Sequence, residues 1–381
     1  MKLLHTADWH VGKTIKGLSR IDEHTRVLGD IVRIADTERV DAVIIAGDIY
    51  ETASPGPDAE ALVLRTLLDL RDTGARVFVI AGNHDNAARF DAVRPVFAAI
   101  DVDIMGTPLR PSDGGLLEFT TSDGTGVRIA RLPFCSQRSV LRAQQLLGLD
   151  AAALAATYDE RIRQLLQSLT EGFADDAVNL VVSHCMVTGA HLGGGERSAQ
   201  TYLDYWVGAQ AFPAHANYVA LGHLHRTQSV NGPAPAWYSG SPIQVDFGER
   251  DEPNHALVVT AAPGHPSVVD HVEVAGARRL RTIRGTLDEL ASVGVADEYL
   301  RVVVTDPPRA GLADRARELL GEHVVEVRLE ASVPTPAAGP SREQRAGRSP
   351  HELFAEFLGE QQIDDRRLGA LFARLLDEVE R

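Results

Sequence analysis

Residues 76–85 read RVFVIAGNHD, an apolar run that gives way at once to small and polar residues. An uninterrupted apolar run of this length, rich in β-branched residues, is typical of a strand buried on both faces of a sheet. The four residues that follow, GNHD, place an amide, an imidazole and a carboxylate at the end of that strand. The stretch therefore predicts a buried strand whose terminal loop carries chemistry.

The same design occurs at four other places along the chain. The other runs and the residues after them are KLLHT (2–6) before Ala7-Asp8, DAVIIA (41–46) before Gly47-Asp48, NLVVS (179–183) before His184, and YVAL (218–221) before Gly222-His223-Leu224-His225. Five occurrences of one design are difficult to attribute to chance. They predict a core of buried strands whose end loops contribute to a common site.

The segments between these runs indicate the fold class. Apolar residues recur at helical spacing in 24–39 and 58–74, so strand and helix alternate in the front half as they do in α/β proteins. Three later strand-like segments, 236–240, 255–260 and 267–274, follow one another more closely, with turn residues between them. This spacing favours a second sheet that is more antiparallel than the first.

The composition restricts location and partners. Of the 381 residues, 44% are hydrophobic and 24% charged, and no apolar run is long enough to span a membrane. No signal-peptide pattern precedes the first strand, so we expect a cytoplasmic, nucleoid-associated protein. Cys135 and Cys185 are too few for a disulfide scaffold and are expected to be buried without a catalytic role. The net charge of −15 argues against strong non-specific binding of nucleic acid over the whole surface.

Changes of composition divide the chain into four parts. The loops with metal-binding residues stop near residue 275, so 1–274 is predicted as the main domain and 275–332 as a small αβ capping domain. Residues 333–349, rich in Pro, Gly, Ser and Ala, are typical of a flexible linker. Residues 350–381 carry apolar residues at helical spacing and are predicted to form a helical pair. This pair either docks back on its own domain or binds a partner helix or coiled coil, and the length of the linker favours the partner.

Residues 7–14, ADWHVGKT, allow a second interpretation. Their Gly-Lys-Thr ending matches the end of the nucleotide-binding loop G-x-x-x-x-G-K-[ST]. However, Ala7 occupies the position of the first glycine, and Asp8 and His10 stand where the phosphates would approach. Asp-x-His at a strand end instead projects a carboxylate and an imidazole to the same side of the chain, which suits a transition metal.

The candidate metal ligands combine nitrogen and oxygen donors without thiolate. They are Asp8, His10, Asp48, Asn83, His184, His223 and His225. Such a set suits two divalent ions of the manganese, iron or zinc kind better than magnesium, and we expect Mn²⁺. Asp48 is the natural bridge, because a carboxylate shared by ions about 4 Å apart lets them clamp the oxygens of an in-line phosphoryl displacement. Each residue alone could be a helix cap or a core histidine, but their ordered pattern indicates metal binding.

His84 follows the ligand Asn83 and should therefore point the other way, toward the leaving oxygen. That is where a general acid belongs. Its protonated form would be stabilised by a neighbouring carboxylate, and Glu51 and Asp85 are the candidates.

Two groups of basic residues are candidates for DNA contacts. They are Lys13, Lys16 and Arg20 after the first ligand pair, and Arg131, Arg138 and Arg142 in a second segment. Since charge clusters are often no more than solvated faces, that simpler explanation stays open.

The five motifs together resemble those of the calcineurin-like metallophosphoesterases. The resemblance implies an α/β fold, a four-layer α/β/β/α sandwich of two mixed sheets. It also implies the division of the ligands, with His84 as the catalytic acid. One ion would be held by Asp8, His10, Asp48 and His225, and the other by Asp48, Asn83, His184 and His223. The superfamily includes protein phosphatases and small-molecule phosphodiesterases, so these motifs alone do not select a substrate.

The flanking segments resemble the bacterial SbcD nucleases, which are related to the MRE-family nucleases of double-strand-break repair. The segments are HTADWHVGKTIKGLSR (5–20), GDIYETASP (47–55), IAGNHDNAARF (80–90), LGHLHRTQ (221–228) and YSGSPIQVDFGE (238–249). In that family the capping domain contacts DNA, the terminal helices bind the coiled coil of an SMC-like ATPase of the SbcC type, and helices near the active site form a homodimer. The dimer surface would lie here on 58–70 and 87–99. Archaeal relatives carry a histidine where this chain has Glu51.

These observations predict a Mn²⁺-dependent DNA phosphodiesterase that processes DNA ends in repair and recombination with an SbcC-type ATPase. Exonuclease action from 3′ to 5′ on double strands and endonuclease action on single strands or hairpins are implied by the resemblance alone. Because no complete nucleotide-binding loop is present, ATP hydrolysis would come from the partner. The alternatives are a phosphodiesterase or phosphatase for small molecules, and a scaffold whose metal site no longer functions.

Overall fold

The computed structural model describes residues 1–146, 157–193, 205–249, 253–307 and 309–330, with short stretches at 354–355, 358–359, 367–369 and 371–372. The chain divides into two compact units, Met1–Glu330 and Ala331–Arg381. Among the described residues, no helix combines the length and apolar character needed to cross a membrane.

The first of two large sheets has six strands. They are β1 (Lys2–Thr6), β4 (Ala42–Ile45), β5 (Arg76–Ile80), β6 (Val102–Met105), β15 (His255–Thr260) and β16 (Val268–Glu273), in the spatial order β16-β15-β1-β4-β5-β6. Strands β1, β4, β5 and β6 are parallel, whereas β15 and β16 are antiparallel to their neighbours. Three of the five predicted runs, those before Asp8, Asp48 and Asn83, thus end at one edge of this sheet.

The second large sheet also has six strands. They are β7 (Leu116–Thr120), β8 (Gly126–Leu132), β9 (Ala177–His184), β12 (Tyr218–Gly222), β13 (Gln228–Val230) and β14 (Ala236–Tyr238), in the spatial order β13-β14-β12-β9-β8-β7. The four inner strands are parallel, and only the two edge strands are antiparallel. The remaining two predicted runs lie in β9 and β12 of this second sheet.

The expectation of a separate, more antiparallel second sheet from the late strands is wrong. Strand β14 joins the second sheet in parallel with β12, but β15 and β16 return to the first sheet beside β1. Residues 256–259 of β15 are buried on both faces of the sheet. Such burial is expected of an inner strand, and β15 lies between β16 and β1, whereas an edge strand would be more exposed.

The two sheets pack face to face, with helices on their outer faces. The outer helices are α1 (Ile21–Glu38), α2 (Pro57–Asp72) and α3 (Ala87–Ala98) on the first sheet, and α4 (Gln137–Leu146) and α5 (Tyr158–Thr170) on the second. In β4, Val43 packs with the helices and Ile44 with the opposite sheet; in β9, Val181 packs with the helices and Leu180 between the sheets. This alternation, which follows the two-residue period of a strand, gives the predicted layer order helix, sheet, sheet, helix.

Local sequence signals determine where the helices begin. Pro57 occupies the first turn of α2, and the side chain of Asn86 accepts a hydrogen bond from the backbone N–H of Arg89 at the start of α3. Thr157 and Glu160 form a reciprocal capping box at the start of α5. Helix α3 therefore begins directly after the GNHD loop, which keeps that loop short.

Residues 275–330, termed the αβ subdomain below, contain a third sheet of three parallel strands. Its elements are β17 (Arg279–Gly285), α6 (Leu287–Leu290), β18 (Glu298–Val304), α7 (Leu312–Leu320) and β19 (Val324–Leu329). It has its own apolar cluster, centred on residues such as Leu300, Val302 and Ala316. The segment belongs to the same compact unit as the large sheets, and its predicted role as a DNA-contacting cap stays a prediction.

Two short strand pairs also lie in the first unit. They are the hairpin β2 (Thr14–Ile15) and β3 (Leu18–Ser19), and the parallel pair β10 (Met186–Val187) and β11 (Trp206–Val207). The predicted linker, 333–349, lies outside the described residues. Within the second unit the rings of Phe354 and Phe372 stack, with centroids 4.1 Å apart. The segment predicted to form a helical pair thus contains an aromatic contact between residues 18 positions apart.

Candidate metal centre

The candidate ligands converge at the carboxyl ends of strands from both large sheets. Asp8, Asp48 and Asn83 follow β1, β4 and β5, while His184 ends β9 and His223 follows β12. Except for the half-buried Asn83, the candidate ligands are buried, and each of them is at most 8% exposed. The two sheets therefore bring residues from distant parts of the chain into one cluster.

Several ligand positions have a backbone conformation that is rare for residues with a side chain. The φ angles are 54° at Asp8, 48° at His10, 52° at Asp48 and 106° at His223. Positive φ is energetically costly for such residues and persists where the surrounding structure imposes it, which is common at functional sites. The strained backbone turns each side chain toward the cluster.

The glycine before Asp48 is required by close packing. A Cβ on Gly47 would collide with the imidazole of His184, which lies on the other sheet. The Gly-Asp pattern seen in the sequence therefore reflects the close approach of two ligand loops.

The first ligand group contains Asp8, His10 and His225. The Nε2 atoms of His10 and His225 lie 3.1 Å apart. On the other side of each ring, Nδ1 faces a carboxylate, Glu51 at 2.9 Å for His10 and Glu249 at 3.1 Å for His225. Since each Nδ1 donates to a carboxylate, the two Nε2 lone pairs face each other, and a cation between them would relieve their repulsion.

The second group contains Asn83, His184 and His223. Oδ1 of Asn83 lies 3.0 Å from Nε2 of His184 and 2.7 Å from Nδ1 of His223. Nδ1 of His184 donates to the carbonyl oxygen of Ala46 at 2.7 Å, so Nε2 is the nitrogen that faces the cluster and would bind an ion once it has lost its proton. Two imidazole nitrogens and an amide oxygen thus face one position.

Asp48 lies between the two groups. Its Oδ2 is 3.9 Å from Nε2 of His10 and 3.5 Å from Nε2 of His184. A carboxylate oxygen between nitrogen ligands of two separate groups is the arrangement expected of a bridging ligand. The spacing of the donor atoms fits ions bound at about 2.1 Å, and the mixture of nitrogen and oxygen fits a first-row divalent metal.

The charges of the cluster influence one another strongly. Although burial alone would have the opposite effect on each, mutual attraction raises the pKa of His184 to about 9 and lowers the pKa of Asp48 well below its usual value. Burial raises the pKa of Asp8 to about 7, and the nearby Asp48 adds to that rise. The protons on Asp8 and His184, whose pKa values are raised, are therefore the ones that a bound metal ion would displace.

His84 lies beside the first group, its ring 4.7 Å from that of His10 between centroids. Its Nδ1 donates to the backbone carbonyl of Glu51 at 2.7 Å. The Glu51 carboxylate is 3.9 Å from the same nitrogen but 2.9 Å from Nδ1 of His10. The predicted neighbour therefore contacts His84 mainly through its main chain and His10 through its side chain.

Asp85, the other predicted neighbour, is bound by the main chain of the ligand loops. Its carboxylate accepts hydrogen bonds from the amides of Ile49, Tyr50 and Gly82 at 3.2, 3.0 and 2.8 Å. These bonds connect the loop after β4 with the loop after β5. Asp85 thus fixes the loops that carry Asp48 and Asn83.

The assignment of Arg20 and Arg131 to DNA contact is wrong. Arg20 is 1% exposed and donates to both carboxylate oxygens of Glu23. Arg131 is fully buried and pairs with Asp103 at 2.5 Å. A guanidinium held inside the protein by a carboxylate is not available to a phosphate in solution.

The other four basic candidates reach the surface to different degrees. Lys13 and Lys16 form ion pairs with Glu51 at 2.8 Å and Glu326 at 3.2 Å, and both keep part of the side chain exposed. Arg138 and Arg142 lie on α4 with at least part of each side chain exposed. A contact of these four with DNA stays a prediction.

Two residues that border the cluster, Glu249 and Phe134, were not among those predicted from the sequence. Glu249 bonds to His225 as described above, and the Phe134 ring stacks against that of His223, with centroids 6.4 Å apart. No spacing rule connects Glu249 with a ligand 24 positions earlier. Phe134 follows strand β8, whose end carries no metal-binding residue type. Its place beside the cluster becomes evident only from the pairing of β8 with β9.

A model of the calcineurin-like phosphoesterase family matches residues 1–227. The chain belongs to this family. The match covers the five motifs that supply every candidate ligand, which accords with the geometry of the cluster.

Several relatives are described as SbcD components of the SbcCD nuclease. The protein of Bacillus subtilis (strain 168) is 36% identical over 74% of this chain and 71% of its own length. Those of Escherichia coli (strain K12) and Rhodobacter capsulatus are 31% and 32% identical, over 81% and 76% of this chain and 76% of each relative. The chain belongs with these proteins within the larger family.

Proposed function

We propose that this protein is a metal-dependent DNA nuclease subunit that hydrolyses phosphodiester bonds with two divalent ions. The observation that carries the proposal is the position of the Asp48 carboxylate between the two ligand groups, 3.9 Å and 3.5 Å from a histidine nitrogen of each. The names of its relatives as components of the SbcCD nuclease support DNA as the substrate. They favour it over a small-molecule ester.

Asp8, His10, Asp48 and His225 would hold one ion, and Asp48, Asn83, His184 and His223 the other. When bound, the ions polarise the scissile phosphate and lower the pKa of the attacking water. Mn²⁺ is the ion we propose, because the site mixes imidazole with carboxylate and amide donors. The contacts of His10, His184 and His225 through their other ring nitrogens hold each imidazole at a fixed rotation.

His84 supplies the proton for the leaving oxygen. Because Nδ1 already donates its hydrogen to the carbonyl of Glu51, Nε2 is the nitrogen that gains or loses a proton. Its ring meets that of His10 edge to face, and we propose that it lies beside the ion and is not one of its ligands. This position is suited to a general acid.

Double-strand exonuclease activity from 3′ to 5′, and cleavage of single strands or hairpins, belong to the same proposal. We place its action on chromosomal DNA in the cytoplasm, together with an SbcC-type ATPase that binds residues 350–381. The name of the relatives, which makes each of them one component of the SbcCD nuclease, supports such a partner. The stacked rings of Phe354 and Phe372 give the tail an aromatic contact around which a helical pair can form.

A homodimer through α2 and α3 is also proposed. These helices expose Leu64 and Val96 at 43% and 65%. Between them lies a cavity of about 180 Å³ whose lining includes Leu67, Phe90 and Phe97. Apolar side chains exposed next to an apolar cavity favour burial against a second copy.

The test uses the purified full chain and an end-labelled linear duplex with added Mn²⁺. We expect nucleotide release by the wild type, its loss in Asp48→Ala and His84→Gln, and its retention in the control Asp246→Asn, whose exposed carboxylate accepts a hydrogen bond from Gly248 of its own loop. Activity limited to a generic phosphodiester, even with the ATPase partner added, would instead support a small-molecule phosphodiesterase. Absence of bound metal in the active preparation would contradict the two-ion site.

A further inference from the structure

Beyond the candidate ligands themselves, Glu249 contacts the imidazole of His225. Its side chain is 8% exposed, and its Oε1 lies 3.1 Å from Nδ1 of His225. Its Oε2 accepts a hydrogen bond from the backbone N–H of Val245 at 2.9 Å. Both carboxylate oxygens are thus used, one by a ligand and the other by the loop 244–249. The orientation of His225 therefore depends on the position of this loop.

The other end of the loop is attached to the αβ subdomain. The side chain of Gln244 is buried, and its Oε1 accepts a hydrogen bond from the backbone N–H of Leu280 at 2.6 Å. Leu280 lies in β17, the first strand of the αβ subdomain. Next to it Phe247, from the same loop, packs in an apolar cluster with Leu280 and Tyr299. The loop therefore contacts two strands of the subdomain.

A buried ion pair holds this junction together. Arg20 donates to the carboxylate of Glu23 and, through Nη1, to the backbone carbonyl of Gln244 at 2.6 Å. Glu23 in turn accepts from the backbone N–H of Arg278, just before β17, at 2.8 Å. The Arg20 guanidinium also lies 5.5 Å from the ring centre of Tyr299. Because a buried charge is costly without its partner, these contacts favour one position of the subdomain relative to the loop.

We propose that Gln244 and Glu249 are positioning residues that couple the αβ subdomain to the metal ligand His225. A shift of β17 would move Gln244, then Val245 and Glu249, and would turn the imidazole of His225 away from its ion. The contact chain makes the affinity for the ion on the His10–His225 side dependent on the subdomain. On the other side, His184 is held by the carbonyl of Ala46, which belongs to a different loop. The inference rests on the proposed two-ion site.

The first measurement is calorimetric titration of Mn²⁺ into the full chain, stripped of metal beforehand. Glu249→Ala is expected to weaken one of the two binding events by roughly 10–100-fold and to leave the other unchanged. Gln244→Ala should weaken the same event by about 2–10-fold. The double variant should be no weaker than Glu249→Ala, since the two residues act in series.

Conservative variants and a control separate positioning from folding. Glu249→Gln and Gln244→Glu each keep an acceptor oxygen and should recover part of the lost affinity. Asp246→Asn, in the same loop but exposed, should bind Mn²⁺ as the wild type does. Thermal unfolding of each variant in a chelator reports any purely structural effect. A purely structural effect would lower the unfolding midpoint and would weaken the binding of both ions alike.

The titration separates failure of the proposed coupling from failure of the proposed two-ion site. A wild type that binds fewer than two Mn²⁺ ions would remove the two-ion site and the inference with it. If the wild type binds two ions but Gln244→Ala changes only the unfolding midpoint, or the effects of the two substitutions add, the coupling is disproved while the metal site stands.

Discussion

The backbone amide of His84 donates a 2.7 Å hydrogen bond to Oδ1 of Asp48. The residue proposed as general acid is thus attached through its main chain to the carboxylate proposed as the bridge. Its side chain is held separately, by the carbonyl of Glu51. Substitution of the His84 side chain should therefore leave the bridging carboxylate in place.

His84→Gln is accordingly expected to bind two Mn²⁺ ions with wild-type affinity while its kcat falls about 100-fold or more. Asp48→Asn should lose affinity for both ions, because the bridging oxygen serves both groups. Calorimetric titration and single-turnover hydrolysis of labelled duplex measure the two effects independently. Loss of metal binding in His84→Gln would mean that His84 is a ligand and not the acid.

A second prediction concerns His5, which is fully buried and bonded to the hydroxyl of Tyr218 at 2.9 Å. Burial lowers its pKa from 6.5 to about 3. Because the folded state binds the proton less readily than the unfolded state, the stabilisation is complete above pH 6.5 and is lost as the pH falls from 6.5 toward 3. Between pH 6.5 and 5 the loss should be about 2 kcal/mol.

Unfolding midpoints measured in a chelator at pH 7 and pH 5 check this effect. His5→Phe should be less stable than the wild type at pH 7 but should lose less on acidification. His215→Gln, at an exposed position, is the control and should keep the wild-type difference. An undiminished difference in His5→Phe would assign the acid sensitivity to other groups.

The clustering of the candidate ligands could be predicted from the sequence because its physical cause is local. A buried parallel strand leaves a recognisable apolar run, and the residue after it necessarily lies at the carboxyl edge of the sheet. Runs such as those before Asp48 and Asn83 therefore indicated the site before any pairing was known. The positive φ at Asp48 was not predictable, since nothing in the residue type requires it.

Features that depend on distant partners could not be predicted in this way. Strand β15 pairs with β1, so that Thr260 lies opposite Lys2, and no local pattern specifies such a partner. Likewise, Arg131 looks like any surface arginine until Asp103, 28 positions earlier, is seen beside it. The same reason explains why Glu249 was missed as a neighbour of His225.

The arginines on α4 allow a third prediction. Arg138→Ala and Arg142→Ala should each weaken binding of duplex DNA without changing its sequence preference, and each should reduce the salt slope by about 1. Arg131→Ala should leave the slope unchanged but destabilise the fold by about 3 kcal/mol, because Asp103 loses its buried partner. Fluorescence anisotropy across a series of salt concentrations, with a urea titration beside it, separates the two cases. Equal salt slopes for all variants would show that α4 does not contact DNA.

A fourth prediction concerns Glu51, whose carboxylate bonds to His10 and Lys13 at 2.9 and 2.8 Å. Glu51→Gln should weaken Mn²⁺ binding by roughly 10–100-fold, because it weakens the group that orients a ligand. At saturating Mn²⁺ its turnover should approach that of the wild type, since the carbonyl that holds His84 is unchanged. Lys13→Gln should have the smaller effect on affinity. A fall in turnover that excess Mn²⁺ does not restore would instead make the carboxylate a partner of the acid.

The last prediction concerns the two compact units of the chain. Met1–Glu330 contains both large sheets, their helices and all candidate ligands, and its apolar clusters are built from its own residues. A chain shortened to 1–332 should therefore keep Mn²⁺-dependent hydrolysis of duplex ends. It should no longer co-elute with an SbcC-type ATPase in gel filtration, because residues 350–381 are the proposed attachment.

In the full chain, Phe372→Ala should weaken co-elution by removing the ring that stacks on Phe354. Co-elution of the shortened chain would place the ATPase contact on the first unit, and loss of hydrolysis would show that the tail supports the metal site.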